Sequence, residues 1–263
     1  MPSITAHAPG CFCWVELGTT DQAAAVAFYG GLLGWRAHDV PMGDGTFYTV
    51  FTLDGLDVAA LYGLRAEQRA KGIGPHWLPY VAVANADEAA GRVTGLGGRV
   101  LAAPFDVLDV GRTFLIRDPE GTVLACYQAK THMGLGVMAE PGAVAWCELA
   151  TRAPGRVGEF YAGLFGWEAR PSAHAGTSCA TWHARGRTVG GMAEITAALG
   201  EATPHWAVHF QVTEVDAAAA RALELGGTVL HGPAEAPGLG RLVALRDPQG
   251  AAFALLQPSE ARP

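Results

Sequence analysis

The chain has 263 residues, half of them hydrophobic and only 16% charged, with a formal net charge of −7 at pH 7. That length suits two domains with packed cores, and an acidic balance with no basic block argues against nucleic acid as a partner. No run of about 18 apolar residues occurs, so no membrane span is expected.

The opening MPSITAHAPG has no basic start followed by an apolar stretch, so no signal peptide is expected. Five cysteines (Cys11, Cys13, Cys126, Cys147, Cys179), odd in number and without metal-type spacing, suit a reducing cytoplasm.

Taken in chain order, residues 13–18 alternate as a strand. Thr19-Thr20-Asp21-Gln22 then reads as a capping box for a helix carrying Val26, Tyr29 and Leu33 at helical spacing. A second unit begins with a strand over 78–84, followed by a helix with Asp87 as its N-cap and Gly97-Gly98 as its stop. Strands over 112–116 and 122–127 flank the turn Asp118-Pro-Glu-Gly. After a linker near 129–143, the whole pattern returns. Residues 146–169 repeat 14–37 at an offset of 132, and 205–233 repeat 76–104 at an offset of 129. The stretch from Arg241 to Gln257 likewise repeats Arg112 to Gln128. The chain therefore reads as four modules in two halves: 1–130, with modules 11–62 and 76–128, and 140–263, with modules 144–195 and 205–257.

A strand, a helix ending in FYxxLxGW, and a second unit with LGG and RDPxG resemble the vicinal oxygen chelate superfamily of glyoxalases, bleomycin-resistance proteins and dioxygenases. The duplicated form is similar to two-domain actinobacterial glyoxalase-like proteins, called hydroxylases or 27 kDa antigens. The resemblance implies an α+β fold, in which four βαβββ modules form two open barrel-like domains with helices outside and a ligand inside. It also implies where a metal would be held. The first position is Trp14 or Trp146, the second Tyr80 or His209, the third Ala125 or Ala254, and the fourth lies near residues 59–61 or 191–193. Only His209 among the first three pairs can coordinate, whereas catalytic zinc needs three protein ligands and a facial-triad iron two His and a carboxylate. Neither metal nor other cofactor is expected, and a metal-dependent glyoxalase or dioxygenase is disfavoured.

Strand alternation sorts the rest. Val15 and Leu17, with Ala145, Cys147 and Leu149 in the repeat, should pack under helices, leaving Trp14 with Glu16 and Trp146 with Glu148 to face the cavity. His76, Tyr80, Tyr127, His205, His209 and Gln211 fall on cavity phases as candidate ligand contacts. The indoles offer stacking platforms. Glu16, Glu148 and His209 are the candidate acid–base groups, although the carboxylates equally suit a rim in water or a structural ion pair, and the strand-start histidines equally suit surface positions. Arg112 and Arg241 read as barrel ties, Asp118 and Asp247 as turn holders, Trp35 and Trp167 as core.

Two functions follow. One is a metal-independent binder of a bulky, partly apolar small molecule such as a natural product or drug. The other is a metal-independent enzyme of secondary metabolism (isomerase, lyase, cyclase or hydrolase) using acid–base chemistry. A small molecule is the expected partner of a monomer or homodimer. His209 with Glu148 favours the C-terminal half if modules three and four share a barrel; exchange of modules would instead pair Glu16 with His209.

Overall fold

A computed structural model describes residues 3–43, 45–174, 177–196 and 202–259, with backbone alone at 173–174 and 177–179. The first half runs β1 (Phe12–Thr19), α1 (Gln22–Leu33), β2 (Arg36–Pro41), β3 (Phe47–Leu53), β4 (Leu56–Gly63), α2 (Ala66–Ala70), β5 (His76–Ala82), α3 (Ala86–Val93), β6 (Arg99–Val107), β7 (Gly111–Arg117) and β8 (Val123–Ala129). The second half repeats this as β9 (Val144–Thr151), α4 (Pro154–Phe165), β10 (Glu168–His174), β11 (Thr177–Ala184), β12 (Arg187–Glu194), β13 (His205–Gln211), α5 (Val215–Glu224), β14 (Thr228–Ala236), β15 (Gly240–Arg246) and β16 (Ala252–Pro258).

Each half forms one eight-stranded sheet, ordered β2-β3-β4-β1-β5-β8-β7-β6 and β10-β11-β12-β9-β13-β16-β15-β14. The first and last strands in each order stay unpaired along one edge, so each sheet is an open, barrel-like cup and not a closed barrel. Consecutive modules join through antiparallel β1/β5 and β9/β13 pairs. Glu16 and His209 therefore lie in different sheets, and the exchanged pairing does not occur; Glu148 and His209 share one sheet.

Local chemistry fixes the helix ends. Asp21 caps α1 by accepting from the Ala24 N–H, and Gly34 ends it at φ 74°, a conformation that favours glycine. The cap of α3 corrects the expectation of Asp87. Asn85 Oδ1 accepts from the N–H groups of Asp87 and Glu88, because Ala86 is already the first helical residue and is wholly buried. Asp87 instead pairs with Arg112 at 2.8 Å, which makes Arg112 the tie expected of it; Arg241 does the same with Asp216. A second correction concerns Ala145. A register shift in the β9/β13 pair leaves it bulged, so it packs with Leu239 and Leu256 rather than on the helix side with Cys147 and Leu149.

The two repeated motifs meet across the halves. Tyr29, from FYxxLxGW of the first module, donates to Asp247 Oδ2 of the fourth at 3.0 Å; Tyr161 of the third donates to Asp118 Oδ2 of the second at 3.0 Å. The other carboxylate oxygen of each aspartate accepts three backbone N–H groups of its own turn, as a turn holder should. Trp35 and Trp167 are buried and donate to the carbonyls of Gly142 and Gly10, each in the segment leading into the opposite sheet. With Phe12 against Trp167 and Trp206, and Phe210 against Trp35 and Trp77, both halves share one core.

Candidate functional site: two unlike cups

The inner face of each sheet carries one cross-strand row. Trp14 stands opposite Tyr80, and Tyr80 opposite Ala125; in the second sheet, Trp146 stands opposite His209, and His209 opposite Ala254. Glu16 and Glu148 lie two residues further along, paired in register with Ala60 and Gly191.

In the N-terminal cup the polar groups satisfy one another. The Trp14 indole donates to Tyr48 Oη at 3.0 Å, and Tyr48 donates to Glu16 Oε2 at 2.9 Å, where Tyr80 also donates at 3.2 Å. Burial raises the Glu16 pKa to about 7 against the opposing effect of both phenols. The linker closes this cup. His132 sits edge-on to Trp14 with ring centroids 4.9 Å apart, and its imidazole meets Asp57 at 3.1 Å. The Leu135 N–H bonds the Cys13 carbonyl, the Gly136 N–H the Asp57 carbonyl. Tyr127 is spent on this closure, donating to the carbonyls of Val110 and His132. As a result Trp14 is only 6% exposed.

The C-terminal cup has the same skeleton and different chemistry. By strand register, Tyr48 and Tyr62, which pair with each other, correspond to Cys179 and Ala193, and Tyr80 to His209. The phenols are gone. Trp146 Nε1, His209 Nδ1 and Gln211 Oε1 are buried and have no hydrogen-bond partner among the described residues. Glu148 is half-buried, and burial raises its pKa. The Trp146 indole beside it works against that shift without reaching hydrogen-bond geometry. Gly191 is what lets the two side chains lie so close to β12, since a Cβ there would stand 2.8 Å from the indole ring and 3.0 Å from Glu148 Oε1. His209 is 4% exposed, and burial lowers its pKa to about 4 against the opposing effect of the Trp146 and Ala207 backbone, so the imidazole is neutral near pH 7. Leu239, Leu242 and Leu256 pack around Trp146.

His76 and His205 stand outside these rows. Each begins a strand and bonds a backbone carbonyl two residues earlier through Nδ1 at 2.8 Å, as rim histidines do. An open groove of about 430 Å3 lies elsewhere, along α1 and the β2–β3 hairpin, lined by Gln22, Val26, Asp39, Phe47 and Thr49. Sequence reasoning missed Tyr48, Tyr62 and His132. Their partners are distant in sequence, and the repeat match is weakest over β3, β4 and the linker, so no local signal pointed to them.

Comparison with known proteins agrees with the duplicated architecture. The model of the glyoxalase/bleomycin resistance protein/dioxygenase superfamily matches residues 12–125, and that of a glyoxalase-like domain matches 146–256. CFP32 of Mycobacterium tuberculosis, whose name places it among glyoxylases, is 37% identical over 261 residues, covering 98% of this chain and 99% of its own. The anthracycline biosynthesis protein DnrV of Streptomyces peucetius is 36% identical over 272 residues, covering 99% of this chain and 98% of its own. The chain belongs to the glyoxalase/bleomycin resistance/dioxygenase superfamily. Among solved structures, a variant of 4-hydroxymandelate synthase from Streptomyces coelicolor superposes with a TM-score of 0.64 at 14% identity, over 98% of this chain and 95% of that one. A Mn(II)-bound glyoxalase from Novosphingobium aromaticivorans gives 0.63 at 15%, over 95% and 83%.

At the first three of the expected metal positions, the described residues do not fit a metal site. In each row the expected positions hold an indole, a phenol or imidazole, and a methyl group. Among the described residues no three His, Cys, Asp or Glu side chains gather as a metal-holding group. Their arrangement suits hydrogen bonding, stacking and proton transfer. No helix of the described residues is long and apolar enough to cross a membrane.

Proposed function

We propose that this chain binds a bulky, partly apolar natural product in its C-terminal cup, without a metal. One observation carries the reading: Trp146 Nε1, His209 Nδ1 and Gln211 Oε1 are buried without partners among the described residues on the inner face of one sheet, while Trp14 and Tyr80, which match the first two in the other sheet, are bonded. Buried polar groups are almost always paired, and leaving one unpaired costs about 1–3 kcal/mol. Three such groups, the half-buried Trp146 indole among them, fit a surface completed by a ligand. The anthracycline biosynthesis proteins among the relatives favour a polycyclic natural product of secondary metabolism. The test is titration of daunorubicin with EDTA present, followed by calorimetry. Binding should persist in EDTA and in Trp14→Phe, and weaken about tenfold in Trp146→Ala, the cost of losing a stacking platform with its buried area. Binding that requires an added metal, or survives unchanged in Trp146→Ala, contradicts the proposal.

A second reading, a metal-independent acid–base enzyme, is favoured by the two carboxylates whose pKa burial raises. In that case Glu148 is the proton-transfer group, and neutral His209 polarises or orients the substrate instead of donating as an imidazolium. Turnover of a true substrate should fall about 10²–10⁴-fold in Glu148→Gln. Full turnover in Glu148→Gln and in His209→Ala leaves only binding.

A further inference from the structure

We infer that the C-terminal cup selects an elongated aromatic ligand bearing a protonated amine, with the ammonium at Glu148. The inference deepens the proposed binding function and rests on it. The starting point is the charge around Glu148. Trp146 is its neighbour on β9, Ala207 faces it from β13, and Gly191 faces it from β12. His209 lies diagonally across and is neutral, and the only side chain that opposes burial of the Glu148 charge is the Trp146 indole. Among the described residues no Lys, Arg or second carboxylate shifts the Glu148 charge, and Glu148 takes part in none of their ion pairs. A half-buried carboxylate without a cation is driven toward its neutral form, and a cation on the ligand would restore its charge, with the indole face beside it adding cation–π attraction.

Length follows from the register. Glu148 stands opposite Ala207, and Gln211 lies four residues beyond Ala207 on the same face of β13. At about 3.4 Å per residue, the two polar ends are separated by roughly 14 Å of backbone, with Trp146 and His209 between them. Gln211 Oε1 accepts and has nothing to accept from. A ligand with an ammonium at one end, a flat apolar body over Trp146 and a hydroxyl or N–H at the other end satisfies all of these groups. The N-terminal cup makes no such demand, because Tyr48 and Tyr80 already bond its carboxylate and its strand position matching Gln211 is Ala82.

The experiment compares two pyrene probes with the same ring and different charge, 1-pyrenemethylammonium and 1-pyrenemethanol, in wild-type protein and in Glu148→Gln. The ammonium probe should bind at least about tenfold tighter than the alcohol, equivalent to about 1.4 kcal/mol, and the preference should shrink below about twofold in Glu148→Gln, as expected when an ion pair is removed. Trp146→Phe should weaken both probes alike. Equal affinity of the two probes in the wild type, with Trp146→Phe weakening both, overturns the amine selectivity and leaves the binding function standing. A preference that survives in Glu148→Gln overturns it as well, since the cation then sits elsewhere. Failure of both probes to bind at millimolar concentration overturns the selectivity and the binding reading together.

Discussion

Glu16 and Glu148 occupy the same place in two repeats and differ in what surrounds them. Glu16 is held by two phenols, and burial raises its pKa from 4.5 to about 7. The folded state thus binds more protons than the unfolded state across that interval, so stability is fully present below about 4.5 and is lost as pH rises through 7. At about 1.4 kcal/mol per pH unit the loss totals about 3 kcal/mol. Urea unfolding between pH 4.5 and 7.5 should show this decline in the wild type and a flatter profile in Glu16→Gln. Equal slopes would mean that Glu16 does not titrate in this window. The paired tryptophans divide in the same way. Trp14 is buried, donates to Tyr48 and is covered by His132, so Trp14→Ala should cost about 3–5 kcal/mol of stability. Trp146 is half-buried and its N–H is unpaired among the described residues, so Trp146→Ala should cost less stability and more affinity. Denaturation midpoints of the two variants decide between this order and its reverse.

At the level of elements, the repeated motifs turn out to be joints between halves. Tyr29 accepts from the Trp77 indole at 2.9 Å and donates to Asp247, and Tyr161 stands likewise between Trp206 and Asp118. Removing either hydroxyl strands a buried indole N–H and a carboxylate oxygen. Tyr29→Phe and Tyr161→Phe should each lower stability by about 1–3 kcal/mol in calorimetry, and wild-type stability in both would show that the joints carry no energy. Strands, helices and the four-module organisation were legible in the sequence because alternation, caps and self-similarity are local or periodic signals. The strand phases of β5 and β13 were legible for the same reason: Tyr80 and His209 pair in register with Trp14 and Trp146. Three features were not legible. The bulge at Ala145 breaks alternation without a glycine to mark it. The choice of Asn85 over Asp87 as a cap turns on where Ala86 is buried. The return of His132 over Trp14 is a contact across more than a hundred residues.

For the whole molecule, duplication has produced two cups of unlike chemistry on a shared core. The N-terminal sheet is covered by the linker and its phenols bond its carboxylate, whereas in the C-terminal sheet Trp146 Nε1, His209 Nδ1 and Gln211 Oε1 have no hydrogen-bond partner among the described residues. The central claim is that a ligand enters the second cup and leaves the first undisturbed. The chain has seven tryptophans, and their indole N–H resonances in a ¹H–¹⁵N spectrum report on both cups at once, with assignments from Trp14→Phe and Trp146→Phe. Titration with daunorubicin in the presence of EDTA should shift the Trp146 signal, whose N–H is free to gain an acceptor or feel a stacked ring, while the Trp14 signal, already bonded to Tyr48, stays in place. A shift of Trp14 with Trp146 unmoved would contradict the account.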